Sequence, residues 1–241
     1  MIKAAALGYD GVELALKNAD EIDRQSLQSL LDKTGLQVSC ISTGQVYAET
    51  GYMFTDPEVQ KRNTVKRIFK EFIDLAADFG RFVNIGRIRG RIGNDGMLDA
   101  ENRFMEMVHE LCEDAASKNV TLLLEPVNRY EIDFINSVEE GVKLLEKVNR
   151  PNLKLMPDVF HMNIEDAKIG AELSRSIEHV AYIHLADSNR LAPGWGHTDF
   201  DDLFRHLEKA NYHGWLSVEI LPKPEPDTAA RQAIDFLKTF L

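Results

Sequence analysis

The sequence predicts an α/β fold in which parallel strands alternate with helices around a barrel of the (β/α)8 TIM type. Amphipathic helical segments alternate with short apolar runs along the chain, which is the pattern of consecutive strand–helix units. Four apolar runs in the second half end on a carboxylate or a histidine, at intervals near the roughly 30 residues of one such unit. With 241 residues, 44% of them hydrophobic, the chain suits a barrel forming one domain over residues 1–241.

The predicted helices end at glycine or asparagine, and an apolar run follows each of them. The first long helix is predicted from Asp20 and ends at Gly35, the helix over 57–79 ends at Gly80, and the next ends near Asn119. These residue types tolerate the left-handed conformation that turns the chain after a helix. The alternation therefore favours parallel strands with crossover helices over a β-sandwich.

Seven apolar runs are predicted strands. They cover residues 11–16, 37–43, 81–87, 120–126, 153–159, 180–186 and 215–221. A short helical segment over 2–7 precedes all of them. Because a closed barrel of this type has eight strands, we expect that the first β-strand is missing from this chain. A different strand order that needs no eighth member is the alternative.

Composition restricts the function classes. The chain carries 28 basic and 39 acidic residues, a net charge of −11, which disfavours nucleic acid and anionic membranes as partners. No apolar stretch approaches the roughly 20 residues that span a bilayer, and the N-terminus lacks the layout of a signal peptide. The two cysteines, Cys40 and Cys112, lie in apolar runs and are predicted to be reduced, which indicates a cytoplasmic protein.

Four predicted strands end on a residue that can bind a metal or transfer a proton. These residues are Glu125, Asp158, His184 and Glu219, separated by 33, 26 and 35 residues. In a parallel barrel all of these side chains emerge at the carboxyl-terminal rim, where such barrels carry their active sites. Carboxylate oxygens with one imidazole suit a divalent cation. The pattern therefore predicts a metal site with carboxylates available to act on a substrate.

Each of these residues also has a structural interpretation. Glu125 and Glu131 are candidates for a salt bridge with Arg129, and Asp158 is a candidate helix cap. Asp187 either fixes the ring of His184 or forms a turn. It is the coincidence of four such residues at successive strand ends that favours a site.

A second set of residues is less specific. Arg87, Arg89 and Arg91 follow the third strand and either meet an acidic group on a substrate or belong to a solvated loop, which is the favoured interpretation. Arg190 ends the polar loop after His184, where its guanidinium is placed to hold a substrate oxygen.

The chain resembles the xylose isomerase-like superfamily of sugar isomerases and epimerases, in particular the branch of D-tagatose and D-psicose 3-epimerases and of the 5-keto-L-gluconate epimerase type. The motifs that carry the resemblance are I-S-T-G-Q, I-G-R-I-R-G-R, E-P-V-N-R-Y-E-I-D-F-I-N, D-V-F-H-M-N-I-E and H-L-A-D-S-N-R-L-A-P-G-W-G-H-T-D-F. The resemblance implies that Glu125, Asp158, His184 and Glu219 hold the metal. It also implies that Glu131, His161 and Arg190 bind the sugar.

The activity implied by the resemblance is inversion of C3 in a free ketose or keto-sugar acid through an enediolate, with Glu125 and Glu219 as the acid–base pair. One divalent ion is expected, Mn²⁺ first, with Mg²⁺, Co²⁺ and Zn²⁺ as candidates. The expected partner is a small sugar, and relatives suggest a homodimer or homotetramer. Three alternatives stay open: an aldose–ketose isomerase such as hydroxypyruvate isomerase, a non-catalytic sugar-binding barrel, and a DNA-repair endonuclease, which the acidic charge disfavours.

Overall fold

The computed structural model describes residues 1–240. Within this range seven strands lie in parallel, in the order of the chain. Strands β1 to β5 form one sheet and β6 pairs with β7, while two isolated parallel bridges connect the β5 region to β6. The strands are β1 Gly11–Ala15, β2 Gln37–Ser42, β3 Phe82–Ile85, β4 Thr121–Leu124, β5 Leu153–Leu155, β6 Tyr182–Leu185 and β7 Trp215–Val218.

Helices separate the strands, as the alternating pattern predicts. They are α1 Ile2–Leu7, α2 Arg24–Thr34, α3 Gly44–Thr50, α4 Val59–Asp78, α5 Met97–Ser117, α6 Val138–Val148, α7 Val159–Glu165, α8 Ile169–Ser176, α9 Phe200–Lys209 and α10 Pro226–Leu237. Three short 3-10 turns cover Ala19–Glu21, Arg87–Arg89 and Ile177–His179. No helix in the described part of the chain combines the length and apolar composition that crossing a membrane requires.

The elements occupy the predicted positions, but most are shorter. The predicted strand over 153–159 ends at Leu155, because Asp158 accepts a hydrogen bond from the Phe160 N–H and caps α7. The helix predicted from Asp20 begins at Arg24, because the Asp23 side chain accepts N–H groups of the first turn. Polar side chains that satisfy free backbone donors decide these boundaries.

The long helices bury one face each against the sheet. On α4 the residues Val65, Phe69, Phe72 and Ala76 are fully buried, at the three- and four-residue spacing of a single helix face. The equivalent face of α5 is buried as well. This apolar layer supports β3 and β4 from outside and so holds the carboxyl-terminal end of β4 in place.

The barrel has one seam without strand pairing. Over the described residues, β1 and β7 share no ladder, and a cavity of about 570 Å³ lies between them, lined by both strands and by α10. Seven strands agree with the count from the sequence. Side chains cross the seam instead of backbone hydrogen bonds: the ring of Trp215 lies against Gly11, and Tyr9 donates from its hydroxyl to the carbonyl of Ala230 at 2.7 Å.

Arg89 is neither solvated nor exposed to a substrate, so both interpretations from the sequence are wrong. It is fully buried and donates to the carbonyls of Gly86, Glu125, Phe134 and Ile135 at 2.7–3.1 Å. Burial lowers its pKa to about 10, so that it remains a cation at neutral pH. Arg89 therefore ties the loop that follows β4 to the backbone of Glu125.

We expect Arg89→Met to lower the free energy of unfolding by at least about 3 kcal/mol, because each buried carbonyl left without a donor costs about 1–3 kcal/mol. Urea denaturation measures this difference. The control is Arg67→Met, since the Arg67 side chain is 65% exposed and pairs with Glu71 on the same helix; it is expected to change stability by at most about 1 kcal/mol. Equal losses of unfolding free energy in both variants would contradict the structural role of the Arg89 hydrogen bonds.

Candidate active site

Four side chains from different strand ends meet at the carboxyl-terminal rim. One potential metal-ligand atom from each lies within 4.8 Å of the others, and the four residues are Glu125, Asp158, His184 and Glu219. Glu125 follows β4, Asp158 caps α7 after β5, His184 lies in β6 and Glu219 follows β7. The structure thus brings together the four residues that were expected to converge.

Backbone hydrogen bonds beyond the regular strands set the height of these residues. The Glu125 N–H donates to the carbonyl oxygen of Ile85 at 3.1 Å, and the Glu219 N–H donates to the carbonyl oxygen of Leu185 at 3.2 Å. Asp158 and His184 form an isolated parallel bridge. Neighbouring strands therefore present their polar ends at one level of the rim.

Two buried atoms in this cluster make no hydrogen bond within residues 1–240: Nδ1 of His184 and Oδ2 of Asp158. Nδ1 lies 3.4 Å from Oε1 of Glu125 and 3.6 Å from Oε2 of Glu219. A buried polar atom without a partner is costly. An imidazole nitrogen and carboxylate oxygens are ligands of divalent cations, so the donor set fits a metal ion.

Burial and the charges of neighbouring groups together shift the pKa values of the cluster. Burial, together with the charge of Glu219, raises the pKa of Asp158 well above its usual range. Burial also raises the pKa of Glu219, with His184 acting in the opposite direction. Burial would raise the pKa of Glu125, but the adjacent His184 lowers it. Burial opposes protonation of His184, yet the charges of Glu13 and Glu219 raise its pKa. A proton and a metal cation would therefore compete for the same imidazole.

Arg190 lies over this group of carboxylates. Its Nη2 donates to Oε2 of Glu219 and lies 3.4 Å from Oδ2 of Asp158. The guanidinium stacks 4.7 Å from the centre of the Phe160 ring, which restricts its movement. Arg190 is thus a fixed cation beside the acidic cluster, within reach of a substrate oxygen bound there.

His161 supplies a neutral donor. Its Nδ1 lies 2.7 Å from Nδ2 of Asn128, and because an amide nitrogen only donates, Nδ1 accepts and Nε2 carries the proton. Nε2 lies 3.7 Å from Oδ2 of Asp158. Burial lowers the pKa of His161 to about 3, against the charge of Glu125.

Glu131 lies outside the buried cluster, on the loop after β4. Its carboxylate is 3.6 Å from Nη1 of Arg87 and accepts a long hydrogen bond from Asn128 at 3.4 Å. Arg129 pairs with Glu165 instead. The salt bridge considered between Arg129 and either Glu125 or Glu131 is therefore wrong.

Two polar neighbours of the cluster were missed in the sequence. Glu13 in β1 accepts from Nε2 of His184 at 2.8 Å, and Asn84 in β3 donates to Oε2 of Glu125 at 3.0 Å. The signal for Glu13 was available, since it is a carboxylate inside an apolar strand, as Glu219 is. Asp187 accepts backbone N–H groups of Ser188 and Thr198, so its interpretation as a turn residue is confirmed.

A parallel α/β barrel with ionisable groups at its carboxyl rim is the arrangement of barrel enzymes. Residues 1–240 match the family described as Xylose isomerase-like TIM barrel, and the chain belongs to this family. This match confirms the predicted fold and the resemblance.

Named relatives are sugar epimerases. The L-ribulose 3-epimerase of Methylomonas sp. (strain DH-1) is 32% identical over 219 residues, covering 90% of this chain and 75% of that protein. The 3-dehydro-D-guloside 4-epimerase of Escherichia coli (strain K12) is 26% identical over 246 residues, covering 97% and 90%. A solved structure of L-ribulose 3-epimerase has a TM-score of 0.89 at 25% identity, covering 99% of this chain and 86% of that one. The protein is therefore an enzyme of the sugar epimerase or isomerase type.

We expect Mn²⁺ added to chelator-treated protein to raise the midpoint of thermal unfolding by about 5–10 °C. Ligand at about 100 times its dissociation constant stabilises by about 2.7 kcal/mol, and 1 kcal/mol corresponds to roughly 2–4 °C at this size. Asp158→Asn keeps the capping oxygen but removes one charge, and it should lose most of this shift. Asp20→Asn, at an exposed position, should retain it. A full shift in Asp158→Asn would exclude Asp158 as a ligand.

Proposed function

We propose that this protein is a divalent-metal-dependent epimerase that inverts C3 of a free ketose or keto-sugar acid. The observation that supports this best is the placement of Glu125 and Glu219. The two carboxylates come from β4 and β7, on different sides of the barrel, and lie 3.4 and 3.6 Å from the same imidazole nitrogen of His184. A substrate between them would meet one carboxylate on each face.

Inversion requires removal of the C3 proton on one face and return of a proton on the other, while the carbonyl stays at C2. We assign these steps to Glu125 and Glu219, one as base and the other as acid. A bound divalent cation would supply Lewis-acid stabilisation of the negative charge that develops on the substrate oxygens. Burial raises the pKa of Glu219, which strengthens this carboxylate as a proton acceptor.

Three further residues are proposed to orient the sugar at its carbonyl end. The guanidinium of Arg190 and the neutral Nε2–H of His161 are donors for substrate oxygens, and the carboxylate of Glu131 is an acceptor for a hydroxyl group. His161 cannot take up a proton near neutral pH, because burial lowers its pKa to about 3. It therefore acts as a hydrogen-bond donor and not as the acid.

Another epimerase reaction has a specific observation in its favour. The match to the 3-dehydro-D-guloside 4-epimerase extends over more of both chains than the match to the L-ribulose 3-epimerase. Proton exchange beside a C3 carbonyl would use the same pair of carboxylates. Product analysis separates the two positions, and it separates either from an aldose–ketose isomerase, in which the carbonyl moves.

Manganese as the ion, a homodimer or homotetramer as the assembly, and the cytoplasm as the location remain predictions. Mass spectrometry of the natively purified protein checks the ion, and sedimentation checks the assembly. The cluster of oxygen donors with a single imidazole supports a hard or borderline cation.

The decisive experiment is substrate deuteration in D₂O. With Mn²⁺ at a concentration that saturates the thermal shift, a panel of ketoses and keto-sugar acids is incubated and loss of the C3–H signal is followed by NMR. Glu219→Gln should slow exchange by at least about 10²-fold, the lower range for loss of a general acid–base group.

Glu208→Gln is the matched control, because Glu208 is exposed on α9 and should exchange at the rate of the unmodified protein. Exchange at that same rate in Glu219→Gln would reject Glu219 as an acid–base group. Absence of exchange across the panel with the unmodified, metal-loaded protein would reject the epimerase itself.

A further inference from the structure

Glu13 is a carboxylate in the middle of β1, and 16% of its side chain is exposed. The strand around it is apolar, with the sequence G-V-E-L-A. A carboxylate in such a setting is costly unless hydrogen bonds satisfy it. The hydrogen-bond partners of Glu13 therefore explain how this carboxylate is accommodated in the strand.

One oxygen of Glu13 accepts two hydrogen bonds. Oε1 lies 2.8 Å from Nε2 of His184 and 2.8 Å from the hydroxyl of Tyr182. Since an ionised carboxylate only accepts, both partners donate. Because the hydroxyl proton of Tyr182 is donated to Glu13, the Tyr182 oxygen accepts a hydrogen bond from the Ser39 hydroxyl at 2.7 Å. The charge of Glu13 thus sets which group donates in each of these three hydrogen bonds.

The consequence for His184 is a defined tautomer. With its proton on Nε2, the neutral ring presents a lone pair at Nδ1. Nδ1 has no hydrogen-bond partner among residues 1–240, and it faces Glu125 and Glu219 at 3.4 and 3.6 Å. The imidazole is thus already oriented as a ligand.

We propose that Glu13 is the positioning residue of the metal site, which fixes the orientation and tautomer of His184 so that Nδ1 binds the cation. This inference rests on the metal site of the proposed function. Carboxylates in this position also raise the basicity of the bound imidazole, and losing such a partner typically lowers metal affinity 10–100-fold. The hydrogen bond spans the barrel from β1 to β6, next to the open seam.

The test is Glu13→Gln, which keeps the shape and an acceptor oxygen but removes the charge. We expect the Mn²⁺ dissociation constant, measured from free Mn²⁺ by electron paramagnetic resonance, to rise 10–100-fold. Tyr182→Phe removes a neighbouring donor but leaves the Glu13–His184 contact, and it should raise the constant much less. Glu106→Gln, exposed on α5, should leave it unchanged.

A second readout separates positioning from general destabilisation. In the Zn²⁺-loaded, unmodified protein, two-dimensional ¹⁵N–¹H NMR should show the His184 proton on Nε2 and the metal on Nδ1. This measurement needs no variant and decides the inference even where Glu13→Gln fails to fold. A proton on Nδ1 would overturn it.

The outcomes distinguish the two proposals. Tight Mn²⁺ binding by the unmodified protein with an unchanged constant in Glu13→Gln overturns the role of Glu13 and leaves the proposed function standing. No Mn²⁺ binding by the unmodified protein overturns both. A selective loss in Glu13→Gln, together with the Nε2 tautomer, supports the positioning role.

Discussion

Repulsion among three clustered carboxylates, two of them buried, is the constraint on which this structure depends. Glu125, Asp158 and Glu219 share one space at the rim with a single imidazole, and like charges in a buried site raise its energy steeply. The surrounding structure offsets this with few groups: the guanidinium of Arg190 on one side and the amide of Asn84 on another. A bound cation would relieve the same repulsion.

The approach to Glu125 shows how closely the backbone follows this requirement. A side-chain carbon at Gly86 would lie 2.9 Å from Oε2 of Glu125 and 3.0 Å from Oδ1 of Asn84, so only glycine leaves room for their hydrogen bond. Below it, Arg89 holds the carbonyl of Glu125 and of residues further along the same loop. The carboxylate is thus positioned through both its main chain and its side chain.

The open seam changes how the first strand contributes to the rim. In a barrel closed by ladders, hydrogen bonds on both edges hold each strand, whereas β1 is paired on the β2 side alone within the described residues. The Glu13–His184 and Glu13–Tyr182 hydrogen bonds tie β1 across the barrel interior to β6. The hydrogen bond that is proposed to orient His184 therefore also helps to hold β1 in place.

The sequence by itself determined the alternation of strands and helices, the count of seven strands and the four strand-end residues, because periodicity and chain spacing are local properties that survive without contacts. Element boundaries were less accurate. The helix after Asp23 begins later and the strand before Asp158 ends earlier than predicted, because a spacing argument does not weigh capping hydrogen bonds. The interior partners were decided by the tertiary structure alone. Arg89 and Arg87 are two residues apart in one motif, yet Arg89 is fully buried on four carbonyls and Arg87 is half-exposed. Glu13 meets His184 across 171 residues of chain, and such a contact exists only once the strands have closed around a common interior.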